Sequence, residues 1–316
     1  MATQETFALT NSAGTSINLS AAPYRLMAHD GLGLVSPARA VQQGPYQHGG
    51  TLLSARLVPR TITLKIAVKS TTEALMRAGT EALERLCNRL DIPLYLDVTR
   101  PDGSVRRLDV YHNSGFALPR TAGEHLSATI DVIQLVADNP IAYTPALTTT
   151  TLAVGGSASA GWEMDTTPTS VDGWFLDSGG GAVDGWYMGA SVIDVHLIIT
   201  YTGTWPAYPL IRVVGPIADP IITNDTTGDK LDFTGFTLGA GEYIDIDCRY
   251  GYKTVTEDDG SNRLGNLTAD SDLATWRLVP ADEALGGLND IHIEGTGATG
   301  ATVVYMTYHT QWISAL

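Results

Sequence analysis

Cysteine is scarce in this sequence of 316 residues, which contains only Cys87 and Cys248. Two cysteines cannot form a disulfide framework or a cysteine-based zinc cluster, so the fold has to be stabilised by its hydrophobic core. Cys87 falls beside the apolar stripe of a predicted helix, and we expect it to be a small buried residue and not a reactive thiol.

Long hydrophobic runs are also missing. The longest apolar stretches contain about five residues, whereas a helix needs roughly 20 to cross a bilayer. The first residues lack a charged segment followed by an apolar one, so no secretory signal is expected. We therefore expect synthesis in a cytoplasm and no membrane span.

Basic residues are few in the second half of the chain. Residues 146–316 contain 6 Lys and Arg against 22 Asp and Glu, whereas residues 1–145 contain 13 against 12. Phosphate binding needs clustered basic side chains, so no specific nucleic-acid binding is expected of the acidic half. The asymmetry indicates two modules with different neighbours, although acidity that merely maintains solubility is an open alternative.

Catalytic constellations are missing as well. No two of the seven histidines stand four apart on a predicted helix, as a helical zinc site requires. Asp245 and Asp247 alternate with isoleucines and are expected on the solvent face of a strand, while the acids of 257–259 fall in a turn. Calcium binding and a solvated acidic surface both remain open for these clusters. We expect no enzyme activity, no cofactor and no metal.

The sequence does contain many short apolar–polar alternations, with 33 Gly and 15 Pro between them. Alternation with period two predicts half-buried strands, and the turn residues separate them. In the first half the pattern predicts strands at 6–10, 16–19, 24–27, 62–68, 92–98, 105–111 and 126–136.

One helix is predicted, over residues 71–90. Ser70 and Glu73 have the spacing of a capping box. An apolar stripe at helical spacing is expected to face the sheet; it consists of Leu75, Leu83, Leu86 and Leu90, with Met76 and Cys87 beside it.

The polar, glycine-rich stretch 31–50 is too hydrophilic for a core strand, and it predicts a long functional loop. Gln43, Tyr46 and His48 are the candidate contact residues of this loop. The proline-containing stretch 138–145 then marks a domain boundary, so we expect domains at 1–145 and 146–316.

The second domain repeats the strand pattern about every ten residues, which is typical of a β-sandwich. Predicted strands include 194–201, 210–214, 221–224, 242–248, 275–278, 290–294 and 302–309. A tryptophan-rich segment at about 157–192 precedes most of them, with Trp162, Trp174 and Trp186 spaced 12 residues apart. These tryptophans favour packing against a partner subunit, while stacking on sugar rings is the alternative.

The order of several segments resembles the distal tail proteins of long-tailed bacteriophages with non-contractile tails. The segments that carry the resemblance are 44–50, 56–64, 100–103, 137–143, 208–217, 222–228, 238–246 and 267–276. Together they span nearly the whole chain.

The resemblance implies a mainly β fold with an N-terminal tube-protein-like β-barrel or sandwich carrying one α-helix. A C-terminal galectin-like antiparallel β-sandwich follows. It also implies a homo-oligomeric ring, expected to be a hexamer, that joins the tail-tube protein to the tail hub protein in the virion and lets DNA pass. A receptor-binding protein or a host glycan is a further expected partner.

Two features depart from the family. The tryptophan-rich segment resembles an insertion, so its partner is not inherited. The sugar-contact signatures of galectins, His-x-Asn-Pro-Arg and Trp-Gly-x-Glu, are absent. A carbohydrate-binding or host-adhesion module that uses the three tryptophans is therefore kept as the alternative function.

Overall fold

The computed structural model describes residues 5–88, 91–116, 128–154 and 192–316. The chain divides into two units, and the division is not a single cut. The N-terminal unit contains residues 1–147, 203–205 and 309–316, and the C-terminal unit contains residues 148–202 and 206–308. The chain thus leaves the N-terminal unit after residue 147, returns to it briefly at 203–205, and ends in it from residue 309 onward.

The elements follow one another in this order. The first are β1 (Thr6–Thr10), β2 (Ser16–Asn18), β3 (Tyr24–Asp30), β4 (Pro37–Gln42), β5 (Thr51–Leu57), β6 (Arg60–Lys69), α1 (Glu73–Cys87), β7 (Leu94–Thr99), β8 (Val105–Gly115), β9 (Ala128–Ala137) and β10 (Ala142–Tyr143). The others are β11 (Thr148–Ala153), β12 (Val192–Thr200), β13 (Leu210–Val214), β14 (Ile217–Asn224), β15 (Asp229–Asp232), β16 (Thr237–Leu238), β17 (Tyr243–Asp247), β18 (Thr254–Glu257), β19 (Leu288–Thr296), β20 (Val303–Tyr308) and β21 (Gln311–Trp312), with short 3₁₀ turns at Leu264–Asn266 and Leu285–Gly287.

The N-terminal unit is built on one antiparallel sheet in the order β2-β1-β7-β8-β9-β6-β3, with β10 beside β8 and β21 beside β10. The two ends of this order, β2 and β3, come close to each other, as the hydrogen bond from the Leu26 N–H to the Leu19 carbonyl at 2.8 Å indicates. Strand β6 shows how the sequence specifies the core: Ile62, Leu64 and Ile66 alternate with more exposed residues and are fully buried. The alternation predicted for this strand is confirmed.

The helix packs over the core of this unit, but it begins differently from the prediction. Thr72 is the N-cap, and its hydroxyl accepts the Leu75 N–H at 3.3 Å. Ser70 does not cap the helix, because the helix starts at Glu73 and that side chain binds Arg77 one turn later.

The buried face of the helix is rotated relative to the predicted stripe. Met76, Leu83, Leu86 and Cys87 are buried as expected, together with Gly79 and Thr80. Leu75, which was predicted to be buried, is 55% exposed. Leu90 lies outside the described residues.

The C-terminal unit contains two five-stranded antiparallel sheets. One has the order β11-β20-β13-β17-β18, and the other has the order β12-β19-β14-β15 with β16 beside β14. Their inward residues form one core, to which β13 contributes Ile211 and Val213 and β19 contributes Ile291 and Ile293. The predicted fold class, mainly β with antiparallel sheets and one helix, is confirmed for the described residues.

One predicted strand of this unit is wrong. Residues 275–278 do not form a strand. The N–H groups of Thr275 and Trp276 both donate to the Asp272 carbonyl in a turn, and Leu278 forms an isolated β-bridge with Ala207. Trp276 is nevertheless fully buried in the core. The apolar–polar alternation around Trp276 arises because Trp276 and Leu278 are buried parts of a loop, and it does not reflect a strand.

Among the described residues no helix combines the length and the apolar character that crossing a bilayer requires.

Candidate assembly surface

The most exposed regular structure in the N-terminal unit is a β-hairpin formed by β4 and β5, which we call the arm (residues 37–57). Within the described part of the chain, its two strands pair only with each other. Nearly every residue of both strands is exposed. The sequence predicted a loop at 31–50, and the structure corrects this to a hairpin that extends to Leu57. The pattern hid these strands because neither face of the hairpin is buried.

The arm leaves the unit at a glycine that no other residue would replace easily. Gly31 has a φ of +82°, and a Cβ at this position would lie 2.1 Å from the Thr61 carbonyl oxygen. Leu32 and Val35 are buried just before the arm, and the Val58 N–H donates to the Ser36 carbonyl at its base. The base is therefore fixed, and the strands beyond it extend from a rigid point.

The tip of the arm holds the three predicted contact residues. Gln43, Tyr46 and His48 are all exposed, and Tyr46 is 98% exposed. Gln47 orders this turn, because its side-chain oxygen accepts the Gly44 N–H at 3.1 Å and its amide nitrogen donates to Thr51 at 2.9 Å. The tip thus presents an aromatic ring on an ordered turn.

Apolar side chains along the arm have no partner surface among the described residues. Val41 and Leu52 are register partners across the hairpin and are 53% and 54% exposed, and Leu53 is 62% exposed. A two-stranded hairpin is marginally stable in water by itself. Exposed apolar groups concentrated on such a hairpin are typical of a surface that another protein covers.

The arm is also basic. No Asp or Glu occurs between residues 31 and 72, and the arm itself carries Arg39 and Arg56. The protein as a whole has a net charge of −15. An isolated basic element on an acidic protein favours contact with acidic surfaces.

A groove of about 810 Å³ lies between β1 and β3 in the same unit. Glu5, Phe7, Met27 and His29 are among its lining residues. Met27 is 50% exposed, and the rings of Phe7 and His29 lie 5.0 Å apart. The groove therefore combines the apolar side chains of Phe7 and Met27 with the charged side chains of Glu5 and Arg25, and it runs along β3.

The acidic clusters of the C-terminal unit are neutralised by arginines. Asp245 forms two 2.7 Å hydrogen bonds with Arg212. Asp247 was predicted on the solvent face, but it is buried and accepts hydrogen bonds from Arg249. Burial acts to raise the pKa of Asp247, but the hydrogen bonds from Arg249, two residues away, outweigh it and the pKa is lowered.

The acids of the predicted turn at 257–259 are engaged in the same way. Glu257 accepts a hydrogen bond from Arg263, and Asp259 accepts two from Ser261. Glu257 and Asp259 are thus hydrogen-bonded within the C-terminal unit.

The remaining predicted contact residues, Trp162, Trp174 and Trp186, lie outside the described residues. The apolar residues of the arm were not predicted. In the sequence they are indicated only by two short runs of mixed apolar and polar residues, 37–42 and 51–57, on either side of a Gly- and Gln-rich turn.

No protein-family model and no curated protein matches the sequence. The fold, however, is found among solved structures. The SPP1 Dit (gp 19.1) protein, described as a paradigm of the hub adsorption apparatus in phages that infect Gram-positive bacteria, aligns with a TM-score of 0.61 at 14% sequence identity, over 96% of this chain and 98% of that chain. The phage P2 baseplate in its activated conformation with Ca gives a TM-score of 0.45 at 10% identity, over 97% and 98% of the chains. The chain shares the fold of SPP1 Dit along nearly its whole length.

Proposed function

We propose that this protein is a structural subunit of a bacteriophage tail tip. In this proposal copies of the chain form a closed ring, expected to contain six, that joins the tail tube to the tail hub and lets DNA pass. The protein would act in the virion and would not be an enzyme. The proposal includes a tube-protein-like N-terminal domain and a galectin-like C-terminal domain. The fold shared with SPP1 Dit, a protein of the hub adsorption apparatus, supports the role in the tail tip.

The observation that carries the proposal is the exposed arm. A ring of identical subunits needs two different patches that fit each other head to tail. The N-terminal unit has a projecting apolar and basic arm and also a recessed groove of mixed lining, in which Phe7 and Met27 lie beside Glu5 and Arg25. We propose that the arm of one copy occupies the groove of the next.

The charge of the N-terminal unit supports the passage of DNA. Its residues carry 13 Lys and Arg against 12 Asp and Glu, so the unit is almost neutral. A strongly basic channel would bind the phosphates and slow the DNA. A nearly neutral one allows it to slide.

The test is the assembly state of the purified chain, measured by mass photometry and negative-stain imaging. The wild type should form closed rings. Leu52→Asp places a charge on the arm and should give monomers, and Met27→Asp should do the same from the groove. Leu75→Asp is the matched control, because Leu75 on the helix is 55% exposed and Leu52 is 54% exposed.

Mixing the two variants separates this geometry from general loss of structure. The Met27→Asp copy keeps an intact arm and the Leu52→Asp copy keeps an intact groove, so the mixture should form dimers and nothing larger. A monomeric wild type at high concentration, or rings that survive Leu52→Asp, would contradict the proposal.

A further inference from the structure

Two histidines that are distant in sequence meet on the outer face of the C-terminal unit. His196 of β12 and His292 of β19 are register partners across the antiparallel pair. Their rings stack with centroids 4.3 Å apart and an interplanar angle of 6°. Both are accessible, with side chains 46% and 19% exposed.

A carboxylate lies at the Nε2 side of the pair. The Asp194 oxygen is 2.8 Å from His292 Nε2 and 4.0 Å from His196 Nε2. One ligand atom from each of the three residues lies within 4.8 Å of the others. Two imidazole nitrogens and one carboxylate oxygen therefore lie close together at the surface.

Two further carboxylates lie at the opposite, Nδ1 side. The Asp290 oxygen is 2.8 Å from His196 Nδ1, and the Asp225 oxygen is 3.8 Å from the Nδ1 atoms of both histidines. A carboxylate that accepts the Nδ1 proton of an imidazole leaves the Nε2 lone pair free to bind a metal. This is the usual arrangement behind metal-binding histidines.

We propose that Asp194, His196 and His292 bind a divalent transition-metal ion of the zinc class, with Asp290 and Asp225 orienting the two imidazoles. Bond lengths of about 2.0–2.2 Å place the ligand atoms of a tetrahedral zinc site roughly 3.3 Å apart. The observed 2.8 and 4.0 Å bracket this value. The stacked rings only need to tilt toward each other for both Nε2 atoms to reach one ion.

The donor set decides the class of ion. Calcium and magnesium prefer oxygen ligands, whereas two imidazoles and a carboxylate suit zinc, nickel or cobalt. Three protein ligands leave at least one coordination position for water or for a group on a partner protein. The site can therefore link this outer face to another component, whichever way the N-terminal units assemble.

Binding should compete with protons. Asp194 and His292 share the proposed ion with His196, and Asp225 and Asp290 lie on the Nδ1 side of the pair. Zinc affinity should fall as the pH is lowered from about 7.5 to about 5.5, because the ligating nitrogens must be deprotonated.

The test uses the full chain, stripped with EDTA and titrated with zinc chloride in a calorimeter. We expect one ion per chain. The substitutions His196→Asn, His292→Asn and Asp194→Asn should each weaken binding by at least about tenfold, and Asp290→Asn should weaken it by about tenfold. His112→Asn, which removes a histidine from β8 in the N-terminal unit, should leave the affinity unchanged.

Two readouts keep the result decisive. Cobalt chloride should give the visible absorption of a four- or five-coordinate site, and His196→Asn should abolish it. Circular dichroism checks the fold of each variant; if His292→Asn is unfolded, Asp194→Asn replaces it, because the Asp194 side chain is 70% exposed. Failure of the wild type to take up zinc, equal affinity in His196→Asn, or binding of calcium that ignores the histidine substitutions would each overturn the proposal.

Discussion

At the scale of single residues, two buried arginines tie the end of the chain into the N-terminal unit. Arg60 is 5% exposed and donates to the Ile313 carbonyl at 2.6 Å and to the Leu32 carbonyl at 3.0 Å. Arg106 donates to the main-chain oxygens of Ser314 and Leu316. A buried guanidinium is retained at such a place because its planar donors satisfy several carbonyls at once.

We therefore predict that Arg60→Ala destabilises the N-terminal unit by about 2 kcal/mol. The Ile313 carbonyl would lose a charged donor, whereas Leu32 keeps the Ala315 N–H. Urea unfolding monitored by circular dichroism measures the change. Arg85→Ala is the control, since that side chain is 80% exposed on the helix. Equal unfolding midpoints for Arg60→Ala and Arg85→Ala would refute the stabilising role of Arg60.

The two cysteines should be inert in the folded protein. Burial raises the pKa of Cys87 to about 11 and that of Cys248 to about 12. At pH 8 only about one Cys87 thiol in 1,000 is then ionised, and the thiolate is the reactive form. Iodoacetamide followed by mass spectrometry should label neither residue in buffer and both in urea. Rapid labelling of either one in buffer would show that it is accessible.

At the scale of elements, the N-terminus of the helix distinguishes two caps: Thr72, which the structure shows, and the capping box of Ser70 and Glu73, which the sequence predicted. Thr72→Ala should destabilise the protein by about 1 kcal/mol, because the free Leu75 N–H loses its acceptor. Thr71→Ala is the matched control, one residue earlier and also exposed. Urea unfolding of both variants and of Ser70→Ala decides the matter, since a capping box would make Ser70→Ala the costly change.

How much of each element was predictable depends on whether one of its faces is buried. Strand β6 was predicted because its isoleucines and leucine alternate against a core. The arm was predicted as a loop because both of its faces are exposed. The pairing of His196 with His292 was invisible, since it depends on the register between strands that are 96 residues apart in the chain.

At the scale of the whole molecule, the N-terminal unit is completed by residues from the far end of the chain. Strand β21 pairs with β10, and Trp312 packs against the N-terminal core. The Arg106 guanidinium carbon lies 4.1 Å from the centre of the Trp312 ring, and the indole N–H donates to Thr144 at 3.2 Å. The periodicity of the sequence does not indicate that the end of the chain belongs to the N-terminal unit, because the segment concerned, 309–316, has only eight residues.

This return predicts a stability effect that is confined to one unit. Trp312→Ala should destabilise the N-terminal unit by about 2–4 kcal/mol, because the Arg106 guanidinium loses the ring on which it stacks and part of the core becomes exposed to water. Trp276→Ala is the matched partner: Trp276 is fully buried in the C-terminal core, and its loss should cost about 3–5 kcal/mol there. Hydrogen exchange measured by mass spectrometry should show faster exchange in β8 and β10 for Trp312→Ala and in β13 and β17 for Trp276→Ala. If Trp312→Ala instead accelerated exchange mainly in β13 and β17, the end of the chain would not belong to the N-terminal unit.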